Sequence, residues 1–170
     1  FGSYKKLTSS KHQALLLFDF NNNTRNFKVV DFKNLDPNFP NISATALPIK
    51  YLYARYYLEI DSVETAKKLI YGSIKDNPYI YAPEILLAQL YLTENKLDSA
   101  LYYSKRAFYG ITNNNSHRDT YFNVLQELKD SISLDSAFMK IRKIKKGLHH
   151  WVDYILTRNE INAKPDVRLL

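Results

Sequence analysis

Slid against itself, the chain matches at one offset, which aligns 47–80 on 81–114. Tyr53, Ala54, Tyr57, Ala66, Ile70, Ser73 and Pro78 in the first segment are answered by Leu87, Ala88, Tyr91, Ala100, Ser104 and Ala107 in the second. A unit of that length has room for two helices and a turn, yet cannot bury its apolar face alone. Small residues fall where helices must cross closely, and large ones fill the space between.

Between residues 48 and 159 the apolar side chains recur at three- and four-residue intervals, which is a helical and not a strand rhythm. Breaks fall at 21–26, 34–48, 76–78, 110–117 and Gly147, stretches rich in residues that prefer turns and extended backbone. About seven or eight helices fit between them. Pro48 and Pro83 suit first helical turns, and Asp61-x-x-Glu64, Asn95-x-x-Asp98 and Ser133-x-x-Ser136 predict capping pairs.

A third unit, 118–147, fits if three extra residues are allowed in the 110–117 loop, with Tyr121, Val124, Leu125, Leu128, Ala137, Ile141 and Ile144 at the repeat positions. Residues 13–36 are expected to form a degenerate earlier helix pair. Gly147 is expected to end the third unit as a helix C′ residue. Beyond it, 148–159 places Leu148, Trp151, Val152 and Ile155 on one stripe and predicts a capping helix.

The period and the order of small and large residues resemble the tetratricopeptide repeat. The resemblance implies an all-α fold over 1–170 as a single domain. Its antiparallel helix pairs are expected to stack as a right-handed TPR-like solenoid, closed by the C-terminal helix.

Chemistry is sparse. The chain has no cysteine and four histidines, and neither a Gly-rich phosphate loop nor a His-Glu-x-x-His pair occurs. His149 and His150 point about 100° apart on a helix, and only His149 with Asp153 has a metal-gripping spacing. Neither catalytic residues nor a metal or cofactor is expected. The longest strongly apolar run, 14–18, is far short of the roughly 18 residues that span a bilayer.

Repeat arrays take partners on the surface lined by the first helix of each unit. The register puts Arg55, Gln89 and Gln126 at one place in successive units, with Tyr51, Ile85, Phe122 and Asn123 beside them. This polar ladder suits an extended protein or peptide partner, or a glycan. It lacks the Lys/Asn pattern of repeats that clamp chaperone carboxylates.

Of the net charge of +7, residues 137–159 supply most, through Lys140, Arg142, Lys143, Lys145, Lys146 and Arg158 against Asp153. The first five form a candidate basic surface around the stripe of Ala137, Phe138, Ile141 and Ile144. Without a recognised module or aromatics beside the charges, no specific nucleic-acid partner is expected.

The phrases at 35–43, 48–58, 74–91, 97–122 and 150–156 follow one another as in the tetratricopeptide extension of bacterial O-antigen ligase or polymerase membrane proteins, especially those of Bacteroidetes, which they resemble. The resemblance implies a non-catalytic periplasmic module on the inner membrane, attached through a missing N-terminal part, scaffolding cell-surface polysaccharide assembly. A start at Phe1 with no leader segment fits a piece of a longer chain. The competing expectation is a scaffold or sensor segment of a cytoplasmic regulator. The resemblance also marks Ser62, Ser99, Ser131 and Ser136, each within Asp-Ser-apolar, as O-glycosylation candidates. Helix capping by the same residues is the plainer use of that pattern.

Overall fold

The computed structural model describes residues 11, 14–19, 21, 22, 24, 45–144 and 147–161. Among these, every regular element is helical: α1 (Ile49–Glu59), α2 (Val63–Asp76), α3 (Ala82–Thr93), α4 (Leu97–Gly110), α5 (Asn115–Leu128), α6 (Ser131–Ile144) and α7 (Leu148–Glu160). Residues 14–19 are helical as well. The chain divides into two compact units, Phe1–Pro83 and Glu84–Leu170, so the boundary falls in the first turn of α3.

The turns within helix pairs share one backbone signature. Asp61, Asn95 and Lys129 lie in left-handed conformation at φ of 57°, 55° and 54°. In each case the N–H of that residue donates to the carbonyl three residues back, and the next N–H donates five back: Asp61 to Leu58 and Ser62 to Tyr57, Asn95 to Leu92 and Lys96 to Tyr91, Lys129 to Gln126 and Asp130 to Leu125. This is the Schellman closure, which satisfies the orphan carbonyls of a helix end.

The interval from Asp61 to Asn95 equals that from Asn95 to Lys129, so no insertion separates the third helix pair from the second. Its equivalent positions are Tyr121, Phe122, Leu125, Leu134, Phe138 and Ile141, all buried. The register that allowed three extra residues shifts by one helical turn, and 3.6-residue periodicity makes such a shift nearly invisible in sequence. Helix α5 begins at Asn115, not at Arg118.

Helix starts also differ from the sequence expectation. Asp61 and Asn95 close the preceding helices and cap nothing, and Ser62 and Lys96 take the N-cap positions without a side-chain cap bond. Asp130, not Ser133, caps α6 by accepting from the Ser133 N–H at 2.9 Å. Asn114 caps α5 by accepting from the His117 N–H at 3.3 Å. Gly147 has φ −79° and serves as the N-cap of α7 instead of a left-handed C′ residue. At that backbone conformation any residue fits, and an added Cβ would meet the exposed His149 ring at 2.7 Å.

In the first unit α1 packs on α2. Ile49, Leu52, Tyr53, Ala54 and Tyr56 are buried on α1, and Ala66, Ile70 and Ser73 on α2. Lys50 passes over Gly72 to reach Asp76, with Nζ 3.0 Å from Oδ2. Leu16 and Asp19 of segment 14–19 are buried, and the Tyr56 hydroxyl donates to Asp19 at 2.5 Å. The second half of the expected 13–36 pair lies outside the described residues.

In the second unit α5 packs on α4, α6 and α7, and α6 packs on α7. The core gathers Phe108, Tyr121, Phe122, Leu125, Leu134, Ala137, Phe138, Ile141 and Tyr154, with Leu101, Trp151 and Ile155 against it. Phe138 stacks on Tyr154 at 4.1 Å between ring centroids and meets Trp151 edge-on at 4.7 Å. Each such side chain contributes about 1.5–3 kcal/mol on leaving water. Helix α7 thus buries Tyr154 while Leu148, Val152 and Leu156 stay exposed, so Leu148 and Val152 of the expected capping stripe face away from this core.

Candidate functional site

The polar row along the first helices of the pairs is completed differently from the sequence expectation. Asn123 stands as far beyond Gln89 as Gln89 does beyond Arg55 and continues their row, whereas Gln126 continues that of Leu58 and Leu92. Phe122 belongs to the small-residue row of Ala54 and Ala88. At 3% exposure it is core and offers nothing to a partner. Tyr51 and Ile85 are also buried, Arg55 is half-buried, and Gln89 is exposed with its amide donating to the Thr120 hydroxyl at 3.5 Å.

Within the second unit Asn123 and Gln126 line a cleft of about 570 Å³ together with Leu92, Thr93, Asn95, Leu97 and Glu127. The Schellman turn at Asn95 forms one edge, and the last two turns of α5 supply the amides of Asn123 and Gln126. A surface of uncharged donors and acceptors, with two leucines and one carboxylate, suits a neutral chain rich in hydrogen-bonding groups. Asn95 is a residue that the sequence expectation used only as a cap.

Buried charge marks a second cluster, missed in the sequence. Arg118 of α5 is buried and donates through Nη1 to His150 Nδ1 at 2.7 Å. Its Nη2 lies 3.0 Å from Asp153 and 2.7 Å from Asp119. Asp153 is therefore engaged by an arginine. Among the described residues no group of three or more His, Asp or Glu side chains is placed to hold a metal ion. The signal was present: Lys50, Glu84 and Arg118 are evenly spaced, a charged residue at one recurring helical position.

Glu84 is fully buried, with Arg106 Nε 3.3 Å from its Oε1. Burial pushes its carboxyl above the usual range, against the opposing pull of its own backbone N–H and of Arg106. The ion pair falls outside hydrogen-bond geometry, so the contact is mainly Coulombic. Burial also lowers His117 from its ordinary 6.5, opposed by the hydrogen bond between Nδ1 and the Ala107 carbonyl at 3.1 Å.

Of the basic candidates, Lys140 sits with Nζ 4.4 Å from the Tyr109 ring centroid, and the Arg142 guanidinium lies 4.9 Å from that of Trp151. Lys143 is exposed, and Lys145 and Lys146 lie outside the described residues. Aromatics do stand beside these charges, which the sequence reading placed in the core. Ser62, Ser99 and Ser131 are half-buried at the starts of α2, α4 and α6. Ser136 lies in mid-helix instead, exposed and bonded to the Ile132 carbonyl at 3.0 Å.

Comparison with protein-family models, with curated proteins and with solved structures gives no match for this chain. Among the described residues no helix is long and apolar enough to cross a membrane.

Proposed function

We propose that this chain is a non-catalytic, tetratricopeptide-like interaction module whose helix pairs stack as a solenoid and whose polar cleft takes an extended chain. One observation carries the reading: the Schellman turns at Asp61, Asn95 and Lys129, repeated at equal intervals. A turn that recurs at a fixed interval builds each helix pair to the same plan, and like pairs bury like faces. The packing of α5 on both α6 and α7 supports it, because stacked pairs bring alternate helices together.

The ligand class follows from the lining. Thr93, Asn95, Asn123 and Gln126 match the repeating hydrogen-bond groups of a glycan or a peptide backbone. Together with the phrase order in the sequence, this favours a soluble periplasmic extension of a membrane protein that ligates or polymerises surface polysaccharide.

Two measurements test the reading. Titration with surface polysaccharide fragments should perturb the amide signals of Asn95, Asn123 and Gln126, and Asn123→Ala with Gln126→Ala should abolish the response. No perturbation by either glycans or extended peptides sinks the cleft. The full gene product should carry many upstream membrane-spanning helices, and a reading frame without them removes the membrane assignment.

A further inference from the structure

The second helices of the last two pairs carry a surface that the proposed cleft does not use. On α4 and α6 the acidic side chains sit toward the starts: Asp98 near the start of α4, Asp130 just before α6, and Asp135, which Arg158 and the Tyr154 hydroxyl hold. From Leu101 to Gly110 and from Ser136 to Ile144 the charges on the helices are all positive: Lys105, Arg106, Lys140, Arg142 and Lys143, with Asp130 near Lys105 and Glu84 paired with Arg106. Lys140 of α6 lies over the Tyr109 ring of α4, which ties the two stretches together at that point.

Large apolar side chains stand among these charges. Tyr102 is 59% exposed, Ile144 53%, Tyr109 39% and Met139 37%. The tyrosine rings are already braced: Tyr102 meets Tyr103 edge-on at 5.0 Å, and Tyr109 meets Phe108 edge-on at 5.0 Å while Lys140 covers its ring. The Tyr109 ring, covered by Lys140, is a poor platform for stacking bases, and tyrosines beside lysines and exposed aliphatics suit a headgroup region that is apolar below and anionic above.

We propose that residues 101–110 of α4 and 136–144 of α6 form a peripheral membrane contact that takes anionic lipid headgroups. The lysines supply attraction to the surface charge, and Tyr102, Met139 and Ile144 enter the interface. Neither contribution suffices alone: a few basic residues give weak, salt-sensitive adhesion, and buried apolar area fixes it. This contact is independent of the cleft, and Asn123→Ala with Gln126→Ala leaves it intact.

The test is co-sedimentation with vesicles of phosphatidylcholine alone and of phosphatidylcholine containing about one third phosphatidylglycerol. The protein should sediment with the anionic vesicles only, and salt should release it. Lys105→Gln and Lys143→Gln should each weaken binding about fivefold, the equivalent of one surface charge. Tyr102→Ser and Met139→Ser should weaken it further at unchanged charge. Both sets lie on exposed positions, and circular dichroism verifies that the helices persist. Absence of sedimentation, or equal binding by all variants, overturns the proposal. So does displacement by a short oligonucleotide combined with indifference to Tyr102→Ser and Met139→Ser, which identifies a general polyanion surface instead.

Discussion

Arg118 Nη1 lies 2.7 Å from His150 Nδ1, joining the first turn of α5 to the first turn of α7 inside the second unit. Arginine only donates, so Nδ1 accepts and the imidazole proton resides on Nε2. Asp153 and Asp119, 37% and 57% exposed at their side chains, balance the guanidinium from the rim. The contact reaches from residue 118 to residue 150 and holds the last helix in place.

Arg118→Ala should therefore cost about 1–3 kcal/mol, because buried Nδ1 loses its donor while the two exposed carboxylates rehydrate. His150→Leu should cost a similar amount, and the double variant less than the sum, since the residues share one contact. Urea midpoints of the four proteins give the coupling. Additive losses would show that Arg118 and His150 stabilise the fold separately.

His117 gives the stability a defined acid dependence. Its folded value is depressed, first by burial, so below the ordinary 6.5 the unfolded chain takes up a proton that the folded chain resists. Stability is full above that value and declines as pH falls toward the folded one. His117→Gln removes the titration. The difference in unfolding free energy between parent and variant should be constant above pH 6.5 and move against the parent below it. A flat difference across the range excludes His117 as the source.

Lys129 occupies a left-handed position at φ 54°, where a Cβ crowds the following carbonyl. Lys129→Gly should raise stability by about 0.5–1 kcal/mol, because the turn is retained and the strain is released. Asn95→Gly should change little, since asparagine already tolerates this conformation. Thermal unfolding of both variants separates strain relief from a general effect of glycine.

Ala100 is fully buried, and its counterpart in the next helix pair is Leu134. Ala100→Leu should nonetheless destabilise by about 1–3 kcal/mol, because the surrounding residues are fitted to the small side chain. A neutral result in urea unfolding would mean that the helix pairs can exchange packing residues freely.

Legibility in the sequence followed the range of the forces involved. The helical rhythm and the repeat match of Tyr53 with Leu87, or of Ala66 with Ala100, rest on local periodicity, and they survive in the all-helical architecture. The capping pairs did not: Asp61 and Asn95 have the composition of caps, but whether such a residue opens one helix or closes another depends on its φ. The third pair slipped by three residues because Phe122 and Leu134 replace alanines, and two registers then score alike. Asn123 and Gln126 of the expected ladder line the candidate cleft, as does Asn95, which the sequence offered only as a cap, while Phe122 is core.

The sequence by itself determined that the described residues are helical and that the stretches 47–80 and 81–114 are alike, because helix propensity and apolar spacing act within one or two turns of the chain. Tertiary structure decided which charged residues go inside, as with Glu84 and Arg118, and that Tyr109 and Lys140 share a surface. Those outcomes depend on desolvation and on partners such as Arg106, Asp153 and His150. Such partners are distant in sequence and meet only when the helices pack.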